Sequence, residues 1–71
     1  MQYPPALSER QLEVLRLLAQ GLSHRQIGRR LGRSFETIRS HTLLIRHYFG
    51  VHSNVEAVAK ARSWDILGEA S

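Results

Sequence analysis

The sequence predicts a small all-α domain built from four helices. Hydroxyl residues that suit helix N-termini precede four segments, at Ser8, Ser23, Ser34 and Ser53. After three of them a Gln or Glu follows three residues later, which is the spacing of a capping box. Within the segments apolar residues recur at steps of three and four, as one face of a helix requires. No segment carries the pattern of a strand.

The composition describes one small folded domain, or one domain cut from a larger chain. The 71 residues are 42% hydrophobic and include no cysteine, which excludes a disulfide framework and thiolate zinc sites. A chain of this size buries only roughly 60% of its unfolded surface, so efficient helix packing or a second subunit must add stability. There is no membrane-spanning run and no signal pattern, so we expect a cytoplasmic protein.

The chain divides into a lead-in and a helical domain. Residues 1–7 contain Pro4-Pro5, which cannot continue a helix, and residues 8–68 form the domain. The first helix begins after Ser8 and ends at Gly21. Its predicted core stripe comprises Leu12, Leu15, Leu18, Ala19 and Leu22. Near the C-terminus, Ile66 and Leu67 are expected to fold back onto the core, and residues 69–71 to fray.

The fourth helix, over about residues 53–63, carries two rows of small residues. One row suits the core and comprises Ala57, Val58 and Ala61. The other row lies on a different face and comprises Val55, Ala59 and Arg62. A monomeric core needs only one such row, so the second row is predicted to be a subunit contact.

The central stretch, residues 23–49, is predicted to be two helices joined by the turn Gly32-Arg33-Ser34. The shorter helix spans about residues 23–31 and the longer one about residues 34–49. The inner stripe of the longer helix comprises Ile38, Thr42, Ile45 and Phe49. Gly28 lowers helix propensity by about 1 kcal/mol relative to Ala, which predicts that another helix approaches closely at this point.

Positive charge is concentrated in the same stretch. The chain has a net charge of +4, and six of its ten Lys/Arg residues fall within residues 23–49, where Glu36 is the one acid. The flanking segments are close to neutral. Basicity alone is weak evidence, but a basic pair of helices suits the major groove of DNA, which is wide enough to admit one helix.

Four segments, taken in order, carry a resemblance to a known family. They are L-S-E-R-Q-L-E-V-L at 7–15, L-L-A-Q-G-L-S-H-R-Q-I at 17–27, L-G-R-S-F-E-T-I-R-S-H at 31–41 and F-G-V-H-S-N-V-E-A-V-A-K-A-R at 49–62. Together they resemble the LuxR/FixJ/NarL-type (GerE-like) DNA-binding domain, a four-helix variant of the helix-turn-helix. The resemblance covers residues 7–67. It implies that the third helix enters the major groove and that the fourth forms a two-fold homodimer.

The resemblance also implies which residues touch DNA. Base contacts fall on Arg39, Ser40 and Leu43, and Arg39 can donate two hydrogen bonds to guanine. Contacts with the DNA backbone fall at or near Ser23, His24, Arg25, Thr37 and His41. The N-terminal amides of the second helix suit a phosphate. We add Glu36 to the base-contacting residues and Arg33, Arg46 and His47 to the phosphate-contacting residues.

Three of these residues have a second interpretation. Arg39 could be an ordinary solvated arginine, Leu43 a protein-contact residue, and His41 a residue that packs and hydrogen-bonds inside the turn. Leu43 stands where a polar residue is frequent in the family, and Tyr48 replaces a usual Lys. Both departures bear on base preference and leave the fold unaffected.

Two further departures lie outside the central stretch. Gln11 replaces a usual Glu, and Asp65 replaces a usual Gly near the C-terminal end. Neither change alters the predicted fold.

Catalysis and metal binding are not expected. Glu9 and Glu13 are one turn apart on a convex helix face with no pocket implied. The four histidines do not share the i, i+4 face of a helical zinc pair, and no phosphate-binding glycine loop is present. We therefore expect neither an enzyme nor a cofactor.

The predicted function is that of a sequence-specific DNA-binding transcriptional regulator, or the DNA-binding domain of one. It would bind as a homodimer to half-sites about one helical turn, roughly 10 bp, apart. The alternative is an interaction protein of the same fold that pairs with another regulator through its fourth helix. Family members usually join this domain to a receiver or ligand-binding domain, which is a further expected partner.

Overall fold

The computed structural model describes residues 7–67, which form four α-helices and, within that range, no strand. The helices are α1 (Glu9–Ala19), α2 (His24–Leu31), α3 (Phe35–Phe49) and α4 (Asn54–Ser63). The predicted all-α class and each of the four helices are confirmed, with starts within one residue of the predicted ones. The lead-in up to residue 6 and the expected fraying after residue 68 lie outside the described residues.

Side-chain caps fix where the helices begin. The Ser8 hydroxyl accepts the amide hydrogen of Gln11 at 3.1 Å, and the Gln11 side chain accepts that of Ser8 at 2.9 Å. Ser23 and Gln26 repeat this reciprocal pair at the start of α2. Because each pair satisfies two amides that have no partner within the helix, both predicted capping boxes are confirmed.

In the third predicted capping box, at the start of α4, the serine half forms as predicted and the glutamate half has different partners. The Ser53 hydroxyl accepts from the Glu56 amide at 3.1 Å, as expected. The Glu56 carboxylate, however, accepts chiefly from the backbone amide of His52 and from the Ser53 hydroxyl, and the Ser53 amide contributes least. These bonds, led by the one from His52, hold the pKa of Glu56 below its usual value. The carboxylate therefore caps the helix one residue earlier than the motif suggests.

The core lies where α1, α3 and α4 meet, with α2 packed against α1 and α3. The inner stripe of α3 and the first row of α4 are buried as predicted. The stripe predicted for α1 was too narrow, because Val14 and Leu17 are also buried while Leu12 is only half-buried and lies outside the core cluster. Helix α1 therefore buries a wider arc than a single stripe provides.

The segment after α4 packs against the core and against α1. Leu67 is buried and Ile66 packs against the core cluster, as predicted. The Arg16 Nε donates to the Leu67 carbonyl oxygen at 3.2 Å, and an Arg62 guanidinium nitrogen donates to the Ala19 carbonyl oxygen at 3.2 Å. These two bonds fasten the segment and α4 to α1.

Gly28 allows a close approach, as predicted, but the tightest contact is with the turn that precedes α3. A Cβ at this position would lie 2.7 Å from the carbonyl oxygen of Arg33, in the turn, and 3.7 Å from the Ile38 side chain. The nearest neighbour is therefore the backbone of the turn between α2 and α3, and α3 itself is in van der Waals contact through Ile38. The Arg33 amide also donates to the Gly28 carbonyl oxygen at 2.8 Å, so the turn is drawn tightly onto α2.

Among the described residues, no helix is long and apolar enough to cross a membrane.

Candidate nucleic-acid interface

The outer face of α3 brings together the four predicted base-contacting residues. Glu36, Arg39, Ser40 and Leu43, with Arg46 at the edge, line a shallow hollow of about 260 Å³. All four predicted residues are exposed, and Leu43 is 51% exposed. The face thus presents a carboxylate, a guanidinium, a hydroxyl and an apolar group side by side. Such a set can accept from cytosine, donate to guanine and contact a thymine methyl.

The start of α2 adds donors beside this face. Ser23 caps the helix, and His24 and Arg25 occupy its first two positions. The Phe35 ring, at the start of α3, lies 5.8 Å from the His24 ring and 5.3 Å from the Arg25 guanidinium carbon. This arrangement holds Arg25 by a cation–π contact. Sequence reasoning missed Phe35, although a large aromatic residue directly after a helix cap was the available signal.

A chain of two hydrogen bonds connects α2, α3 and α4. Arg46 Nη1 donates to Asn54 Oδ1 at 2.9 Å, and Asn54 Nδ2 lies 3.0 Å from His24 Nε2. All three side chains are half-buried. Asn54 was not among the predicted site residues, because its role depends on a contact across 30 positions of sequence. Two predicted phosphate-contacting residues, Arg46 and His24, are thus joined through it.

His24 is shifted towards its neutral form. Burial is the largest cause that lowers its pKa below the ordinary value of 6.5, followed by the positive charges of Arg46 and then Arg39. Both arginines lie on α3, so the shift follows from the packing of α2 against that helix.

Three further predicted backbone contacts lie on α3. Thr37 is half-buried, and its hydroxyl lies 2.9 Å from that of Ser34, whose oxygen also accepts the Thr37 amide hydrogen. His41 is half-buried, and its Nδ1 has no hydrogen-bond partner among residues 7–67. The hydrogen bond that the second interpretation gave to His41 is therefore not found at that atom. His47 is exposed near the end of α3.

A second cationic surface lies beside the turn. Three arginines, Arg25, Arg29 and Arg33, line a notch of about 450 Å³ with Gly28, Gly32 and Phe35. None of the three arginines forms an ion pair with a carboxylate of residues 7–67. Within that range the ion pair is the one between Arg10 and Glu13, at 3.4 Å. Arg33, a predicted phosphate contact, also donates to the Gly32 carbonyl oxygen. Arg29 was not predicted as a contact and extends the positive surface along α2.

The predicted subunit row on α4 is exposed. Val55 is 79% exposed, which is the highest value among the large apolar residues described, and Ala59 and Arg62 are exposed as well. Arg62 is also bonded to Ala19 within the same chain, so it is not an uncommitted interface residue.

Neither a paired-carboxylate site nor a metal cluster is assembled in the described part of the chain. Glu13 forms its ion pair with Arg10 on the same helix. No group of three or more His, Cys, Asp or Glu side chains in residues 7–67 is placed to hold a metal ion.

Comparison with known proteins agrees with this geometry. The family described as bacterial regulatory proteins, luxR family, matches residues 5–61. Fimbriae Z protein of Salmonella typhimurium is 41% identical over 61 residues, and that of Escherichia coli K12 is 34% identical over 61 residues. Each alignment covers 86% of this chain and 29% of the relative, so the chain spans less than a third of the length of these proteins.

A solved structure shares the fold. The response regulator ChrA of a heme-sensing two-component system superposes with a TM-score of 0.87 at 36% identity, over 90% of this chain and 32% of that one. The four helices and the exposed basic face define a helix-turn-helix domain of the kind that binds DNA in transcription regulators. The chain belongs to the luxR family of bacterial regulatory proteins.

Proposed function

We propose that this domain binds double-stranded DNA sequence-specifically, with α3 in the major groove, and thereby regulates transcription. The observation that carries the proposal is the outer face of α3, where Glu36, Arg39, Ser40 and Leu43 are exposed together. Since the inner face of the same helix is occupied by the core, the outer face has no structural task within residues 7–67. Its mixture of polar and apolar groups suits base edges better than a uniform phosphate surface.

The cationic groups around this face are proposed to position the domain on the DNA backbone. Arg25 and Arg33 lie on the side of the turn, and Arg46 and His24 lie where α2, α3 and α4 meet. Ser23 leaves amides at the start of α2 for a phosphate, and Thr37, His41 and His47 lie along α3. Arg39 and Leu43 carry base preference in this assignment, so the backbone contacts add affinity without sequence information.

Homodimer formation through α4 belongs to the same proposal. Val55 and Ala59 expose small apolar side chains on the face of α4 turned away from the core, and Arg62 lies beside them. A two-fold dimer would place two copies of α3 on half-sites about one helical turn, roughly 10 bp, apart. Because the relatives are more than three times longer than the matched segment, a regulatory domain in a larger chain is a further proposed partner.

We also propose that the domain acts in the cytoplasm, where bacterial DNA is reached, and that it is not an enzyme. Glu13 is paired with Arg10 on its own helix and Glu56 caps α4, while Glu36 belongs to the α3 face that is assigned here to DNA.

A second candidate function is pairing with another regulator through α4. The observation that favours it is the exposed apolar surface of Val55 on α4 and of Trp64 directly after it, and Leu43 and Leu44 on α3 are also more than half exposed. Such residues suit a protein partner.

A selection from random duplex DNA, followed by titration of the enriched sequence at two salt concentrations, tests the proposal. An enriched two-fold sequence whose affinity falls steeply with salt supports sequence-specific binding, because several phosphates must then be neutralised. Weak binding with no enriched sequence contradicts it and favours the pairing function.

A further inference from the structure

The hydrogen-bond chain between α2, α3 and α4 has a defined direction. Arg46 can only donate, because a guanidinium has no acceptor, so Asn54 must turn its Oδ1 towards Arg46 Nη1 at 2.9 Å. The amide group of Asn54 then faces His24 Nε2 at 3.0 Å and donates to it. His24 Nε2 must therefore be unprotonated, which places the single ring proton of neutral His24 on Nδ1.

The groups around His24 favour the same state. From α3, Arg46 and Arg39 act on the ring with positive charge, and the Phe35 ring lies 5.8 Å away. From α2, the Arg25 guanidinium carbon lies 5.3 Å from the centroid of the Phe35 ring, and from α4 Asn54 contacts the His24 ring. No carboxylate of residues 7–67 bonds to the ring. A proton on Nε2 would therefore meet positive neighbours and the amide hydrogens of Asn54.

Donors remain free on both ends of the chain. Arg46 uses one N–H for Asn54 and keeps the others, and the Nδ1–H of His24 has no hydrogen-bond partner among the described residues. The two residues lie on different helices, and Asn54 bonds to both of them. Side chains fixed before binding lose less conformational entropy when they meet a ligand.

We propose that Asn54 is a positioning residue for DNA binding, which holds Arg46 and the Nδ1–H of neutral His24 in fixed relation so that both donate to phosphate oxygens. This inference rests on the proposed function. It adds Asn54 as a residue, the Nδ1–H tautomer of His24, and the direction of hydrogen-bond donation from Arg46 through Asn54 to His24. Asn54 itself need not touch DNA.

Nitrogen-15 NMR of the free protein tests the chain without DNA. In the wild type we expect the His24 ring to be neutral at pH 7 with its proton on Nδ1. In Asn54→Ala the donor to Nε2 is lost, so the pKa of His24 should rise and the proton should redistribute towards Nε2. In Asn54→Asp the carboxylate should raise the pKa of His24 further. A wild-type ring protonated on Nε2, or ring signals unchanged in a folded Asn54→Ala, overturns the proposal.

DNA titration tests the consequence. Asn54→Ala should weaken binding roughly tenfold, and by the same factor on the selected sequence and on random duplex, since phosphates carry no sequence information. In an Arg46→Ala background the same substitution should have a much smaller effect, because its main partner is already absent. Ser63→Ala, a polar-to-alanine change at the far end of α4, is the matched control and should bind as the wild type does.

The two levels of failure are distinguishable. A folded Asn54→Ala that binds both duplexes as well as the wild type overturns the positioning role and leaves the proposed function standing. A wild-type protein that binds neither duplex overturns the proposed function, and the positioning role with it.

Discussion

Replacing Gly28 with alanine separates local helix preference from tertiary packing. In an isolated helix this change would stabilise by about 1 kcal/mol. Here the new Cβ would lie 2.7 Å from the Arg33 carbonyl oxygen, which belongs to the backbone of the turn and cannot rotate away as a side chain can. Overpacking of this kind costs about 1–3 kcal/mol, and backbone contacts fall at the upper end. The bond from the Arg33 amide to the Gly28 carbonyl oxygen would also be strained.

The net expectation for Gly28→Ala is a loss of about 1–2 kcal/mol in the free energy of unfolding, after the gain in helix propensity is subtracted. Urea unfolding followed by circular dichroism measures it, and the melting temperature should fall by roughly 4–8 °C for each kcal/mol. Gly50→Ala is the control, because Gly50 has a φ of 69° but no atom within 4 Å of the added Cβ. It tests backbone strain without a clash. A Gly28→Ala protein as stable as the wild type, or more stable, would refute the reasoning.

Three further predictions concern the cap, the histidine and the exposed row of α4. Ser23→Ala and Ser8→Ala each remove a capping box, and each should lower the free energy of unfolding in urea by about 1 kcal/mol. Only Ser23→Ala should also weaken DNA binding, because its helix start is the one proposed to face a phosphate. Equal affinities of the two variants for DNA would contradict a phosphate at α2. Because the pKa of His24 is lowered on folding, its contribution to stability is complete above its ordinary value of 6.5 and is lost as pH falls through and below that value. Unfolding at pH 7.5 and pH 5 should show this loss, and His24→Gln should reduce it; an unchanged pH dependence in the variant would assign the loss elsewhere. Val55→Glu should prevent dimer formation in sedimentation equilibrium while leaving the melting temperature of the monomer within a few degrees, since the residue is 79% exposed; a persisting dimer would move the interface away from α4.

Local signals predicted most of the fold. Ser8, Ser23 and Ser53 mark helix starts because a cap is formed by residues three apart in sequence, and Gly32 and Gly50 end helices through their own left-handed conformation. The inner stripe of α3 was predictable for a similar reason, since a helix of 15 residues shows its period clearly.

The errors arose where a residue's neighbours come from elsewhere in the chain. Val14 and Leu17 are buried by the helices that α1 meets in the fold, and a single stripe in its own sequence does not show those neighbours. Gly28 was recognised as a close approach, but periodicity could not show that the neighbour is the turn. Glu56 accepts from the amide of His52, one residue before the helix cap, and the motif does not specify this partner.

In the candidate site, too, features set by local sequence were predictable and features set by distant residues were not. The outer face of α3 was predictable because it is the complement of a buried stripe on one helix. Asn54 was not, because its importance depends on where α4 begins relative to α2 and α3. The notch formed by Arg25, Arg29 and Arg33 likewise depends on the path of the turn.

The central claim, that the outer face of α3 reads bases, is tested most directly by comparing Arg39→Ala with Arg33→Ala on the selected sequence and on random duplex. In Arg39→Ala the affinity for the selected sequence should fall relative to that for random duplex, which corresponds to a loss of about 1–3 kcal/mol in binding free energy. Preference should relax at one base position. In Arg33→Ala both affinities should fall together, so that the ratio is kept, because a phosphate contact carries no sequence information. An unchanged ratio in Arg39→Ala, with equal losses on both duplexes, would contradict base reading by this face.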